Sequence, residues 1–541
     1  MATPARGMAP TAMSNAIATS AVRLSTVAVG MFLTPFLLHR IGPVRYGVLV
    51  AAGSAYEYLS LLRGGMGGAL RRYVTVHHHA ARHEEARRYY AAGFWWAALL
   101  RLATFALGLT LAVPLSQFLH IPKDMLRDCA MGVALIFFAA VVLDAAILLE
   151  VPTYATGRTA FLSVAWGLLK WLRLGFTVVA FQVLAPGLAV YGGAAVATEM
   201  VSLMVMAWLA QRSRVVGNAI PRPEFGNPVV RRELFRYGGL ALLSQVAMLL
   251  YLGADNLLIG RFFGAGAVTH YSLGTRWYPL IFGFVVTAIS SLTPLFTRLD
   301  ARGELERSRD ALRQVAAVAC AIAVPACLVP CVVGDLFLVA WVGPTYRDSS
   351  QYLIAMLAPL TVEVAMAPVW MALTARGRIG LVAVGSLLVA VGNVALSLLL
   401  ALGFHMGLLG FALGNTAALL AKNGLLPLAL RRHPDPGVPP MGQVLKPFPL
   451  AILGGLPALA LLYLTRSVYE GHLAKIIVAG SIGGALCLAG SSFGALGRPG
   501  IQRLMRILAR TASRAGDGDP GAPAPLGPPG GGSPEEAAPI E

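Results

Sequence analysis

Ionisable residues inside long apolar stretches are the first indication of chemistry in this chain. The basic members are Arg23, Arg63, Arg101, Lys170, Arg173, Arg276 and Lys422, and the acidic members are Glu57, Asp144, Glu199, Asp255 and Glu363. A charge at the centre of a bilayer costs about 3 kcal/mol on insertion scales, so these groups are expected to face a wet cavity or to pair. Guanidinium groups grip phosphate oxygens with two hydrogen bonds and stay charged at every relevant pH. The basic set therefore indicates a site for a bulky anion such as a pyrophosphate.

Polar residues at helical spacing extend several of these positions into stripes along one helix face. The predicted cationic substrate-binding residues lie on such stripes: Arg23, Arg63, Arg276, Lys170 and Arg173. The residues predicted to serve ion coupling or charge pairing are Glu57, Asp144, Glu199 and Asp255. The alternative is purely structural: the acids Glu57, Asp144 and Glu199 neutralise the bases, while Lys422 and Arg101 extend from helix ends to the membrane surface.

The composition excludes an ordinary soluble enzyme. Of 541 residues, 57% are hydrophobic and only 13% are charged, whereas soluble domains are about one-quarter charged. The net charge of +18 lies in short clusters between apolar runs. This pattern is typical of loops on a polytopic membrane protein, so we predict contact with membrane lipid and no nucleic-acid partner.

Apolar runs of about 20 residues, the length that crosses a bilayer as a helix, predict the fold. Fourteen occur, near residues 14–38, 46–70, 91–114, 129–149, 160–184, 190–210, 237–258, 271–297, 313–334, 350–374, 379–403, 406–430, 447–465 and 473–496. We predict an all-α polytopic membrane protein of about 14 transmembrane helices: two pseudo-two-fold six-helix bundles plus a C-terminal helix pair. Lys and Arg are concentrated in the loops of one side, which predicts that both termini are cytoplasmic.

A short internal repeat supports two bundles of equal orientation. Gly157 and Arg158 recur as Gly377 and Arg378 after 220 residues, and parallel repeats of this kind form transport sites between their halves. The predicted organisation is an N-terminal cytoplasmic segment (1–13), two six-helix bundles (14–210 and 237–430) joined by a cytoplasmic linker (211–236), an additional helix pair (447–496), an amphipathic interfacial helix (499–514) and a disordered tail (515–541).

No pattern of catalytic or metal-binding residues stands out. The five cysteines form no CxxC pair, and there is no phosphate-binding P-loop and no Ser/His/Asp arrangement. We therefore expect no catalytic residues, no metal and no cofactor, and the chain is not predicted to be an enzyme.

Several short motifs resemble those of a known family. They are LFRYG at 234–238, ADNLLIGRFFG at 254–264, HYS at 270–272, FLLHRIG at 36–42 followed by Tyr46 and Gly47, and WVG at 341–343. Together they resemble bacterial Wzx-type polysaccharide flippases of the multidrug/oligosaccharidyl-lipid/polysaccharide exporter superfamily.

This resemblance implies a function and a place in the cell. Such proteins move undecaprenyl-pyrophosphate-linked oligosaccharide from the inner to the outer leaflet of the bacterial plasma (inner) membrane by alternating access, for O-antigen or exopolysaccharide synthesis. Relatives that flip a peptidoglycan precursor carry cavity arginines on the first, second and eighth helices, where Arg23, Arg63 and Arg276 lie here. A polysaccharide polymerase and export proteins are the partners implied.

Two other function classes remain open. A cation-coupled drug or solute antiporter of the same superfamily usually has a carboxylate in its first-half cavity, and Glu57, Asp144 and Glu199 keep this option. A membrane glycosyltransferase or polymerase usually has an acidic residue in an outer loop near the first helix. The loop 39–45 contains no acid, which weighs against an enzyme.

Overall fold

The computed structural model describes residues 8–516 apart from 64, 227, 291, 376–378 and 433–434. At further helical positions, among them Arg23 and Arg63, only the backbone is described. The second copy of the short repeat, at Gly377 and Arg378, lies outside the described residues, as does 517–541 of the predicted tail. The sequence predictions for these positions therefore stay predictions.

The first half of the chain is a succession of helices joined by short turns. They are α1 (Met8–Leu59), α2 (Met66–His79), α3 (His83–Phe118), α4 (Lys123–Leu149), α5 (Val151–Ala155), α6 (Thr159–Val183) and α7 (Leu188–Ser213), with a 3₁₀ turn at Ser60–Arg63. Within this half α4 packs along α7 and α1 packs along α6.

The second half is also a succession of helices. Its helices are α8 (Pro228–Leu252), α9 (Ala254–Phe263), α10 (Ala265–Thr275), α11 (Trp277–Ser290), α12 (Thr293–Ala301), α13 (Leu305–Val342), α14 (Ser349–Ala375), α15 (Ile379–Leu398) and α16 (Leu408–Arg432). A 3₁₀ turn at Pro344–Tyr346 precedes α14, and a π-helical turn at Leu399–Gly403 extends α15. Here α13 packs along α14, and α15 packs along α16.

The prediction of an all-α polytopic membrane protein is confirmed. The described residues contain no β-strand, and ten of their helices are long and apolar enough to cross a membrane. The first of these, Leu24–Leu59, overlaps the two predicted spans 14–38 and 46–70, and Gly42 breaks the helix between them with a φ of 79°. Glycine adopts this left-handed conformation without a steric penalty. The break therefore returns the chain into the membrane.

A final helix pair packs on the outside of α13. After α17 (Met441–Leu445), the chain forms α18 (Pro447–Leu464), α19 (Arg466–Tyr469) and α20 (Leu473–Gly516). A Cβ on Gly454 would lie 2.1 Å from the carbonyl oxygen of Gly490, so α18 and α20 meet backbone to backbone. The predicted amphipathic segment 499–514 continues α20 beyond a second break at Gly497, where φ is 61°.

Candidate functional site

A cavity of about 530 Å³ lies where the two halves face each other. One wall is α1, which contacts α9 and α10 across the boundary between the halves. The lining residues are Tyr46, Val50, Ser54, Glu57, Ser60, Leu249, Asp255, Asn256, Tyr271, Ser272, Thr275, Arg276, Tyr278, Pro279, Met356 and Asn415. Apolar walls with a few convergent polar groups are typical of ligand sites.

Arg276 lies in this cavity at a break between two helices. The chain leaves α10 at Thr275 and begins α11 at Trp277. Pro279 stands in the first turn of α11, where its missing backbone N–H leaves no helical hydrogen bond unmade. This local sequence therefore separates the two helices and places Arg276 at their junction.

The Arg276 guanidinium is held by neutral groups, two of them on the opposite half of the molecule and one on its own half. Its Nη1 donates to Thr34 Oγ1 at 2.6 Å and to the Tyr46 hydroxyl at 3.3 Å, both on α1. Its Cζ lies 5.5 Å from the ring centroid of Trp341, a cation–π distance. Among the described residues no carboxylate forms an ion pair with Arg276. The guanidinium is therefore held in position by neutral groups.

Asp255 is the centre of a buried polar cluster in the cavity wall. Its Oδ2 accepts hydrogen bonds from the Tyr271 hydroxyl and from Asn415 Nδ2, each at 2.5 Å. Asn393 Nδ2 donates to Asn415 Oδ1 at 2.8 Å, so the cluster joins α9, α10, α15 and α16. Asp255 is only 4% exposed, and no described Lys or Arg forms an ion pair with it.

Glu57 and Asn256 present further polar groups to the cavity. The Glu57 side chain is exposed and lines the space between the halves. Asn256 Nδ2 donates to Ser54 Oγ across the boundary at 3.0 Å. Asn256 Oδ1 is buried and has no hydrogen-bond partner among the described residues.

Arg173 and Lys170 lie apart from Arg276. Arg173 Nη1 is 3.3 Å from Glu199 Oε1, and its Nη2 donates to the Tyr191 hydroxyl at 3.0 Å. Neither Arg173 nor Lys170 lines the cavity. The structure thus joins the predicted base Arg173 to the predicted acid Glu199 as an ion pair between α6 and α7.

The expected behaviour of Arg101 and Lys422 is corrected by the structure. Arg101 is 7% exposed and donates to the carbonyl oxygens of Ala97 and Asp144, so it does not extend to the membrane surface. Lys422 Nζ lies 2.6 Å from Glu363 Oε1. Both cations are retained inside the protein because carbonyl or carboxylate acceptors surround them.

Asp144 does not line the cavity but contacts α1, the helix that forms one of its walls. It accepts a hydrogen bond from the Tyr56 hydroxyl of α1. The donor is a neutral hydroxyl group, and Asp144 is only 5% exposed. Arg23 and Arg63 belong to α1 and to the 3₁₀ turn that follows it, but their side chains lie outside the described set. Their convergence on Arg276 stays a prediction.

Two carboxamide residues of the cavity were not among the predicted site residues. Asn256 and Asn415 line it, and neither is charged. A search for uncharged polar residues inside apolar spans could have found both, since a buried carboxamide needs partners. The contacts of Thr34 and Tyr46 with Arg276 carry no local signal, because more than 200 residues separate them.

A family profile and a curated relative are similar to this chain. The profile described as "Polysaccharide biosynthesis protein" matches residues 74–351. The "Uncharacterized membrane protein EpsK" of Bacillus subtilis (strain 168) is 23% identical over 421 residues, which cover 76% of this chain and 81% of that protein.

Solved structures share the fold. The "Lipid II flippase MurJ, inward closed conformation" has a TM-score of 0.67 at 14% identity and covers 88% of this chain and 98% of its own. An inward-facing multidrug resistance MATE family transporter of the MOP superfamily has a TM-score of 0.62 at 13% identity. The match covers 78% of this chain and 100% of the transporter. At these identities the likeness shows a shared fold and nothing more.

Proposed function

Since this chain belongs to the family of polysaccharide biosynthesis proteins, we propose that it is a flippase for undecaprenyl-pyrophosphate-linked oligosaccharide. It moves this lipid from the inner to the outer leaflet of the bacterial plasma membrane for surface polysaccharide, with both termini in the cytoplasm. The MurJ structure that shares its fold is named a lipid II flippase, which supports a lipid-linked substrate. A polysaccharide polymerase is the natural acceptor of the product.

The observation that carries the proposal is the guanidinium of Arg276, which has no ion-pair partner among the described residues. It lines the cavity between the halves, and its described partners are neutral hydroxyl groups and an aromatic ring. Keeping a cation in a low-dielectric site without a counter-charge is costly, so an anionic ligand would stabilise it. A pyrophosphate supplies two charges and several acceptor oxygens. Arg23 and Arg63 are proposed to complete this site, with Lys170 as an outlying positive group in the first half, whereas the charge of Arg173 is compensated by Glu199.

Transport is proposed to occur by alternating access, with the substrate between the halves. On the side predicted to be external, the halves already meet closely. Thr269 Oγ1 donates to the carbonyl oxygen of Pro43 at 2.6 Å, and a Cβ on Gly47 would lie 1.7 Å from the carbonyl oxygen of Ala265. These contacts support a closed external side in this state, from which loading proceeds at the internal side.

Asp255 is the proposed coupling group. Its carboxylate is buried without a described cation, and its partners Tyr271 and Asn415 lie on other helices of the same half. Binding a proton there would remove a buried charge and alter the hydrogen bonds between helices that line the cavity. Glu57, Asp144 and Glu199 are the other candidates, and the pairing of Glu199 with Arg173 makes it the least available.

Replacing Arg276 by Ala tests the proposal in cells. Without the guanidinium the pyrophosphate loses its main described cation, so export of surface polysaccharide should be abolished while the amount of protein in the membrane is unchanged. The control is Arg307→Ala, which removes an exposed arginine at the start of α13. Surface polysaccharide and membrane protein are measured by immunoblot. Wild-type export by the Arg276→Ala variant would remove this residue from the mechanism.

A drug antiporter is the second candidate because the cavity also contains Glu57 and Asp255 and a MATE transporter shares the fold. Carboxylates of this kind bind organic cations. Efflux of a fluorescent organic cation that depends on Glu57 or Asp255, with no change in surface polysaccharide on deletion, would favour this function.

A further inference from the structure

The cavity between the halves has two chemically different ends along α1. Tyr46, which contacts Arg276, marks the end with hydrogen-bond donors. Glu57 follows Tyr46 by eleven residues on the same helix and lines the same cavity. At 1.5 Å per residue the two positions are about 16 Å apart. A ligand that fills the cavity therefore meets a cation at one end and a carboxylate at the other.

The end of the cavity near Glu57 contains hydrogen-bond acceptors for which the described residues provide no donor. Among the described residues no Lys or Arg forms an ion pair with the Glu57 carboxylate, although its side chain is exposed to the cavity. Asn256 lines the same cavity, and its Nδ2 donates a hydrogen bond to Ser54 Oγ. Its Oδ1 is buried and has no described partner. Native proteins rarely leave a buried carboxamide oxygen without a donor.

These acceptors select the chemistry of the ligand at this end. A pyrophosphate has no donors at neutral pH and is repelled by a carboxylate. A sugar has hydroxyl donors, and an amino sugar has an N–H donor or a positive charge. A carboxylate that accepts from a hydroxyl forms a charge-assisted hydrogen bond, which is stronger than a neutral one.

From this arrangement we infer that Glu57 and Asn256 bind the glycan of the substrate and set its specificity, while Arg276 binds the pyrophosphate. The inference rests on the proposed flippase function. The hydrogen bond to Ser54 holds the Asn256 carboxamide at the boundary between the halves, in the lining that it shares with Glu57. The role assigned to Glu57 is to recognise hydroxyl or amino donors of the sugar.

The test compares one lipid with and without its sugar. The ligands are lipid-linked oligosaccharide extracted from a strain that lacks this chain, and sugar-free undecaprenyl pyrophosphate. Affinities are measured for the purified full chain in lipid nanodiscs. Glu57→Gln should weaken binding of the glycosylated lipid by about tenfold, since a hydrogen bond to a charged group is lost. Its affinity for the sugar-free lipid should not fall. Asn256→Leu should act in the same direction.

Controls separate this inference from the proposed function. Glu84→Gln, which neutralises an exposed acid at the start of α3, should bind both lipids as the wild type does. Arg276→Ala should weaken both lipids, and unchanged binding by that variant would contradict the pyrophosphate site itself. Glu57→Gln and Asn256→Leu variants that bind both lipids as the wild type does, or that lose both equally, would overturn the glycan-binding role.

Discussion

Charged residues in the membrane region of this chain fall into two kinds. Arg173 with Glu199 and Lys422 with Glu363 are ion pairs between adjacent helices. Arg276 contacts hydroxyl groups and an indole ring instead. The charge of a paired cation is compensated by its carboxylate, so the pair contributes to structure. A cation without such a partner in a cavity is stabilised when an anionic ligand binds beside it. The distinction depends on the partner rather than on the residue type.

Breaking the pair of Arg173 and Glu199 should therefore affect stability before transport. Glu199 is 2% exposed, and Glu199→Gln leaves the Arg173 charge without compensation, which costs about 3–5 kcal/mol when such a pair is buried. The double variant Arg173→Met with Glu199→Leu removes both charges and should be less destabilised. Thermal unfolding of the purified proteins measures the difference. A double variant that unfolds as early as Glu199→Gln would contradict the structural role of the pair.

At the scale of helices, the halves meet through small residues and breaks. Gly47 allows the backbone of α1 to approach the backbone of α10 at Ala265, and Gly42 turns the chain just before this contact. Because the contact lies on the predicted external side, its separation is the movement that outward opening requires.

Gly47→Leu should hold the external side open. The Cβ of the leucine would overlap the carbonyl oxygen of Ala265, so α1 and α10 must separate. The reporter is a cysteine at Ser272, a cavity residue, in a chain without its five natural cysteines. A membrane-impermeant maleimide added outside should label this cysteine in the Gly47→Leu background at least tenfold faster than in the parent.

The matched control for this experiment is Gly53→Leu. A Cβ on Gly53, which belongs to the same helix, would have nothing within 4 Å. This variant should be labelled at the parental rate. Slow labelling of the Gly47→Leu protein together with normal polysaccharide export would show that the contact does not close the external side.

The helices could be predicted from the sequence, but the contacts of the site could not, and the reason is physical. Hydropathy over 20 residues reports burial in lipid, so the helices and the break near Gly42 follow from local composition. Helical spacing also placed Arg173 on a polar stripe, but it could not show that Glu199 on the next helix faces that stripe. The partners of Arg276 depend on how two halves pack over long sequence separations. No local pattern encodes that packing.

At the scale of the whole molecule, we propose that the membrane potential drives transport. An inside-negative potential favours the outward movement of an anion. The free energy of the anion falls by about 2.3 kcal/mol per charge per 100 mV, or by about 4.6 kcal/mol for two charges that cross the full field. The chain contains no P-loop for ATP binding. Transport driven by potential, with or without a proton at Asp255, therefore agrees with a cationic cavity between two halves.

Reconstitution tests the central claim most directly. The purified chain is placed in liposomes with lipid-linked oligosaccharide from the deletion strain, and an impermeant glycosidase reports how much of the glycan reaches the outer leaflet. We predict movement without ATP that is faster under an inside-negative potassium diffusion potential and is lost in Arg276→Ala. Wild-type protein that moves the lipid no faster than protein-free liposomes, with or without the potential, would contradict the account.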